Sequence, residues 1–155
     1  MKHVCKRAAA AVLALCLLLA LAACGAKEQT VTLRSPEGMY DFPMTETMTF
    51  TAKGDRITRM VNSLEVDTSS LDDEAKEMLS SVFADLGAQY TAVEGVTAQQ
   101  TEDPLRLEIT LEDVDQSASA LAEKGLLEIE GTSKGISLEK TIAALKENGY
   151  ELVEE

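Results

Sequence analysis

An uninterrupted apolar stretch of 16 residues, from Ala8 to Ala23, ends directly at Cys24 and is followed by charged, polar sequence. The stretch is shorter than the roughly 20 residues that a membrane-spanning helix needs. A cationic head, a short apolar region and small residues before a cleavage site are typical of a secretory signal peptide. We therefore expect residues 1–23 to be a cleaved signal peptide that directs the chain out of the cytoplasm.

The expected cleavage site consists of an apolar residue, two small residues and a cysteine, namely Leu21, Ala22, Ala23 and Cys24. This order resembles the bacterial lipobox, in which the cysteine thiol is alkylated with diacylglycerol and the chain is cut before it. We expect cleavage between Ala23 and Cys24, and acyl chains such as palmitate at Cys24. The expected location is the cell membrane or outer membrane, on the extracytoplasmic side. The alternative is an apolar helix that ends in cysteine by chance.

The chain that follows the signal peptide is strongly acidic. Three of the 14 basic residues precede Cys24 and all 27 acidic residues follow it, so the side chains of the mature part carry −16. Binding to nucleic acid depends on neutralising phosphates with Lys and Arg. The charge therefore argues against a nucleic-acid partner and leaves the acyl chains at Cys24 to hold the protein on the membrane.

Several catalytic and metal-binding residue types are missing from the mature chain. His3, Cys5 and Cys16 all lie in the expected signal peptide, and Cys24 is expected to be lipidated. Catalysis by Ser-His-Asp or Cys-His, internal disulfides and the usual Cys/His zinc sites are therefore excluded. We expect no cofactor and no metal. Carboxylates remain available, so a carboxylate-based hydrolase of cell-wall glycan stays open as the alternative to a non-enzymatic module.

Hydrophobic periodicity predicts one α+β domain over residues 30–155, after a lipidated cysteine and short tether at residues 24–29. Alternating apolar and polar residues predict strands. The predicted strands cover residues 30–35, 44–52, 57–66, 96–101, 105–111 and 150–153. Helical spacing predicts two main helices, one that begins at Ser70 and ends near Gly87 and one from a Ser137 cap to Asn148, and a short helix over residues 116–124. The prediction is an antiparallel sheet of five or six strands, covered on one face by the two main helices.

Several short motifs occur in a familiar order. They are the lipobox, the turn at residues 53–55, the runs 89–96 and 107–115, the 134–137 segment, and Gly149-Tyr150. Together these motifs resemble the YehR-like family of small bacterial lipoproteins over essentially the whole chain. The resemblance implies a lipid-anchored α+β domain outside the cytoplasm, with no assigned activity and no catalytic residue to carry over. The 35–43 loop is longer than the corresponding family connection, so no role is carried over to it.

Three local patterns suggest ligands but favour structural explanations. Asp113 would begin a calcium loop, but its sixth and twelfth positions are Ala118 and Lys124 rather than Gly and Glu. Met39, Met44 and Met48 offer soft thioethers to copper(I). Met44 and Met48 share an apolar strand face with Phe50, however, which favours core packing. The glycine-rich 131–135 turn lacks the spacing of a phosphate-binding loop.

The 35–43 loop carries Met39, Tyr40 and Phe42, and so holds a third of the chain's six aromatic residues, counting phenylalanine and tyrosine. One hypothesis is that these side chains fold back and cap the sheet. The other is that they form an exposed contact loop, because aromatic residues often anchor protein partners. The favoured function is a lipid-anchored, non-enzymatic binding or accessory module of the cell envelope. Its partner would be an envelope protein or a small molecule.

Overall fold

Six strands form one antiparallel sheet in the order β4-β5-β3-β2-β1-β6. The computed structural model describes residues 26–127 and 135–153, so the expected signal peptide, Cys24 and most of the glycine-rich 131–135 turn lie outside the described residues. The strands are β1 (Glu28–Arg34), β2 (Met44–Lys53), β3 (Arg56–Val66), β4 (Val96–Glu102), β5 (Leu105–Leu111) and β6 (Glu151–Leu152). The predicted antiparallel sheet is confirmed.

The two faces of the sheet differ in polarity because strand side chains alternate between faces. On β2 the inner face carries Met48 and Phe50, whereas Thr47, Thr49 and Thr51 point to the opposite face. The inner positions of β5 are all buried in the core: they are Leu105, Leu107, Ile109 and Leu111. A sheet with one apolar face must bury that face against other elements.

Three helices cover the inner face: α1 (Asp73–Thr91), α2 (Val114–Glu123) and α3 (Leu138–Glu147). Helix α1 packs on β4 and β5, and α2 packs on β3. Helix α2 corresponds to the short helix that the sequence predicts over residues 116–124, and it begins two residues earlier than predicted. The α+β fold with helices on one face is therefore confirmed, with three helices in place of two main ones. Across the described residues, no helix is both long and apolar enough to cross a membrane.

Helix α1 differs from its prediction at both ends. It begins after Asp72, whose side chain accepts a hydrogen bond from the Ala75 amide at 2.8 Å, rather than at Ser70. It continues past Gly87 to Thr91, and a Cβ at Gly87 would lie 3.4 Å from the side chains of Ala98 and Leu107, so this part of the helix packs directly on the sheet. Met78 and Val82 share a helix face with the apolar residues Leu79 and Leu86, yet both are more than half exposed.

Helix α3 begins and ends where the sequence predicts. The Ser137 hydroxyl accepts a hydrogen bond from the Lys140 amide, and Gly149 adopts φ +89° directly after the helix. A positive φ is readily adopted by glycine, which explains the stop. Strand β1 begins at Glu28, two residues before the predicted strand start at Thr30, because Glu28 and Gln29 already pair with β2.

Candidate functional site

A carboxylate lies on the apolar face of the sheet. Glu46 occupies the inner face of β2 between Met44 and Met48, and only 7% of its surface is exposed. Charged residues are almost never buried at this level unless their polar atoms are paired. The neighbours of Glu46 therefore decide how the charge is tolerated.

Three neutral donors surround the Glu46 carboxylate. The hydroxyls of Tyr40 and Tyr150 both donate to Oε2, the latter over 2.5 Å. The amide Nδ2 of Asn62, which lies on β3 beside β2, donates to Oε1 over 2.8 Å. In the described part of the chain, no lysine or arginine forms an ion pair with Glu46. The carboxylate is thus stabilised by hydrogen bonds alone.

The tyrosines near this carboxylate hold their protons more tightly than free tyrosine. Burial raises the pKa of Tyr40 to about 12, and the hydrogen bond to Glu46 contributes to the increase. Burial and the same carboxylate raise the pKa of Tyr150. The pKa of Tyr90 is also raised, first by burial and then by the negative charge of Glu46. All three phenols therefore remain protonated donors at neutral pH.

Glu46 lines one part of a cavity of about 1300 Å³ between the sheet and helices α2 and α3, which we call the sheet–helix groove. Typical small-molecule sites occupy roughly 300–1,000 Å³, so the groove has room for a ligand. Its apolar wall includes Met48, Met60, Ile109, Leu121, Ile136 and Leu145. Asn62 and Tyr90 add polar groups beside Glu46. A largely apolar wall with a few polar groups is the usual character of a binding site.

The other end of the groove lies at the β2–β3 hairpin. Lys53, Gly54 and Asp55 line the groove there, together with Ala26 at the start of the described chain. Lys53 lies seven positions after Glu46 on β2, which corresponds to about 23 Å of strand. The groove is therefore elongated along β2 and β3.

The hairpin also holds the start of helix α3. The Asp55 side chain accepts hydrogen bonds from the Ser137 hydroxyl at 2.6 Å and from the Glu139 amide at 2.8 Å. These bonds, with Ser137 as the first cause, lower the pKa of Asp55. Asp55 is thereby engaged as a helix cap, which positions α3 as one wall of the groove.

The predicted contact loop separates into one inward and two outward residues. Tyr40 is half-buried and donates to Glu46, whereas Met39 and Phe42 are 41% and 38% exposed. The rings of Tyr40 and Phe42 lie 6.4 Å apart and are tilted. Tyr40 therefore belongs to the carboxylate cluster, and Met39 and Phe42 form the exposed part of the loop.

The predicted structural roles of the acidic and thioether residues agree with their positions. Asp113 caps helix α2 by accepting from the Gln116 amide, and Glu112 pairs with Arg59. Within residues 26–127 and 135–153, no three acidic, cysteine or histidine residues form a group suited to a metal ion. Met44 and Met48 pack against the core.

Sequence reasoning did not identify Glu46, Asn62 or Tyr150 as members of a site. A signal for Glu46 was present, because alternation places it on the same strand face as the apolar residues Met44 and Met48. A charged residue at such a position is unusual unless the structure provides partners for it. Asn62 gave a similar signal, because it lies between Met60 and Leu64 in the alternation of β3. Tyr150 offered no comparable signal in its local sequence.

Comparisons with known proteins agree with this fold. Residues 43–151 match the family described as "Protein of unknown function (DUF1307)". An uncharacterized lipoprotein of Listeria monocytogenes is 26% identical over 151 residues, covering 96% of each chain. An uncharacterized lipoprotein of Listeria innocua is 26% identical over 137 residues, covering 86% of this chain and 87% of its own. The names of both relatives are consistent with membrane anchoring.

Two structures solved by NMR share the fold. The Escherichia coli YehR protein superimposes with a TM-score of 0.64 at 19% identity, covering 83% of this chain and 93% of its own. A protein from Streptococcus pneumoniae TIGR4 gives a TM-score of 0.54 at 16% identity, covering 82% and 86%. Together with the family match, these comparisons show that the chain belongs to the DUF1307 family of YehR-like lipoproteins.

Proposed function

We propose that this chain is a lipid-anchored, extracytoplasmic binding module that takes a small ligand into the sheet–helix groove. The observation that carries the proposal is a cavity of about 1300 Å³ whose apolar wall contains a buried carboxylate. Apolar walls supply binding energy by removing ligand surface from water, and the few polar groups orient the ligand. No chemical step is needed for this role.

The proposed anchor places one end of the groove near the membrane. Cys24 precedes Glu28, the first residue of β1, by four residues, which span at most about 14 Å when extended. The side chain of Gln29 donates to the Gly54 carbonyl at 2.9 Å, so the start of β1 and the hairpin lie together. The hairpin end of the groove would therefore be close to the lipid headgroups.

The carboxylate arrangement favours binding over glycan hydrolysis. Among the described residues, Glu46 and Asp55 are the acids that line the groove. Most glycoside hydrolases hold two carboxyl groups roughly 5–10 Å apart. The seven residue-to-residue steps of β2 from Glu46 to Lys53 alone correspond to about 23 Å. Asp55 is also engaged in capping α3, so these two acids do not form a suitable pair.

A second candidate function is contact with an envelope protein through the exposed part of the 35–43 loop. Met39 and Phe42 are both more than a third exposed, although large apolar side chains are more often buried. Such residues serve as anchors when a partner covers them. This surface is separate from the groove, so the two proposals can be tested independently.

The groove proposal can be tested by NMR with the methyl groups of methionine as reporters. Met48 and Met60 line the groove, whereas Met78 is 62% exposed on α1. Octanol is added to the mature lipidated protein in lipid nanodiscs. We expect saturable changes at the Met48 and Met60 methyl signals and none at Met78. Equal changes at all three signals, or none at the groove pair, would refute the proposal.

A matched pair of variants on α3 controls this experiment. Ala144 is exposed and lines the groove, whereas its neighbour Ala143 is exposed and does not line it. Ala144→Trp should fill the groove and suppress the octanol response of Met48 and Met60. Ala143→Trp adds the same ring outside the groove and should leave that response intact.

A further inference from the structure

One buried acceptor in the groove has no partner. The Oδ1 atom of Asn62 is inaccessible to water and makes no hydrogen bond within the described structure. The orientation of the Asn62 amide follows from its hydrogen bond, because Nδ2 donates to Glu46 Oε1. A flipped amide would instead place Oδ1 against the carboxylate oxygen, and both of these atoms are acceptors. Leaving such an acceptor unsatisfied is costly, and the group lies in the lining of the sheet–helix groove.

Glu46 retains acceptor capacity beside this atom. An ionised carboxylate offers about four acceptor positions, and the described donors occupy two on Oε2 and one on Oε1. The Oε1 atom that accepts from Asn62 therefore has room for one more donor. Glu46 Oε1 and Asn62 Oδ1 are thus two acceptors on adjacent side chains, and Oδ1, which is covered in the described structure, meets a ligand in the groove only after the Asn62 side chain rotates.

Among the described residues, no lysine or arginine compensates the negative charge of Glu46. Burying a carboxylate is costly unless it is hydrogen-bonded and paired, and the three donors on Glu46 are neutral. A carboxylate or phosphate ligand would be repelled here. A hydroxyl group would supply one donor without charge, whereas an ammonium group supplies three donors and the missing positive charge.

The apolar wall of the groove indicates the chemistry of the part of the ligand that lies beyond its head group. Met48 and Met60 extend the inner face away from Glu46 toward the hairpin, and Leu121 and Leu145 face them from the helices. An aliphatic chain along this wall would bury apolar surface over much of the 1300 Å³ cavity.

We propose that the sheet–helix groove binds a primary alkylammonium compound. Its ammonium group is held by Glu46 and Asn62, and its aliphatic body lies along Met48 and Met60. This inference rests on the proposed ligand-binding function of the groove and adds the chemical class of the ligand. The recognition is ionic at one end and hydrophobic along the remainder.

The test compares three ligands with the same eight-carbon chain and different head groups: octylammonium, octanol and octanoate. They are titrated at neutral pH and equal free concentration into the mature lipidated protein in nanodiscs made of uncharged lipid, with Met48 and Met60 methyl signals as the readout. An alkyl amine has a pKa near that of lysine and is therefore cationic at this pH. We expect octylammonium to bind at least about tenfold more tightly than octanol, and octanoate to bind most weakly.

Two variants assign the preference to the carboxylate. Glu46→Gln keeps the shape and removes the charge, and should reduce the advantage of octylammonium over octanol to less than about threefold. Glu108→Gln removes one negative charge from the opposite face of the sheet and should preserve the advantage.

The outcomes separate the two proposals. Equal binding of octanol and octylammonium to the native protein would overturn the ammonium inference and leave the groove function supported. No response of Met48 and Met60 to any of the three ligands would overturn both. If Glu46→Gln does not fold, the head-group preference of the native protein decides the result.

Discussion

Tyr150 donates its phenolic hydrogen to Oε2 of Glu46 over 2.5 Å, although the two residues are 104 positions apart in the sequence. Tyr150 directly precedes β6, which pairs with β1 at the edge of the sheet, while Glu46 belongs to the interior strand β2. This hydrogen bond connects the end of the domain with the polar end of the sheet–helix groove. It stabilises both the fold and the carboxylate.

Replacement of Tyr150 by Phe should destabilise the domain by about 2 kcal/mol, because hydrogen bonds to charged groups contribute roughly 1.5–3 kcal/mol. The free energy of unfolding is measured with urea. Tyr90→Phe is the control, since its hydroxyl donates to the neutral carbonyl of Leu126 at 2.8 Å and should contribute about 1 kcal/mol. An effect of Tyr150→Phe no larger than that of Tyr90→Phe would show that the charge of Glu46 adds nothing.

Substitutions in the 35–43 loop should show that Tyr40 contributes more to stability than Phe42 does. Tyr40→Ser removes a donor to Glu46 and part of a half-buried ring, and should cost about 2 kcal/mol of unfolding free energy. Phe42→Ser should leave stability within about 1 kcal/mol, because Phe42 is more than a third exposed and has no hydrogen bond to Glu46 to lose. Crosslinking in cells followed by mass spectrometry then checks the partner hypothesis. Loss of a captured envelope protein with Phe42→Ser alone would support a contact role.

The three tyrosines of the chain should resist ionisation in alkaline solution. Burial and Glu46 raise the pKa of Tyr40 to about 12 and also raise the pKa values of Tyr90 and Tyr150. Free tyrosine titrates near pH 10, so the unfolded chain loses these protons first. Their contribution to stability is complete below about pH 10 and is lost as the pH rises through the folded values.

The ultraviolet absorbance of phenolate provides the measurement. At pH 10 the folded protein should show far less phenolate than the same protein in urea, in which all three phenols are exposed. Phenolate should appear together with unfolding as the pH increases further. Ionisation of one third of the tyrosines at pH 10 in the folded protein would contradict the arrangement around Glu46.

The proposed anchor predicts a specific loss on substitution of Cys24. Cys24→Ala should abolish metabolic labelling with a fatty-acid analogue and leave the precursor unprocessed, since no later residue offers a thiol. Gel mobility and labelling in cells measure both effects. Cys16→Ala is the matched control and should be labelled and processed normally. Undiminished labelling of the Cys24→Ala variant would refute the lipoprotein interpretation.

Local sequence alone was sufficient to predict most of the secondary structure. The alternation from Leu105 to Leu111 predicted β5 correctly, and Ser137 and Gly149 predicted both ends of helix α3. These features depend on residues within a few positions of one another, so one sequence contains the necessary information. Helix α1 was less predictable, because glycine often follows a helix end, whereas Gly87 lies inside the helix and faces Ala98 and Leu107 of the sheet.

Only the tertiary structure determined the candidate site. The partners of Glu46 lie 6, 16 and 104 residues away, and only the strand pairing and the position of β6 bring them together. Alternation indicated which face Glu46 occupies, but local sequence contains no information about remote hydrogen-bond donors. The groove depends likewise on how far helix α3 stands from the sheet. That spacing is decided by packing between distant segments, including the contact between Asp55 and Ser137.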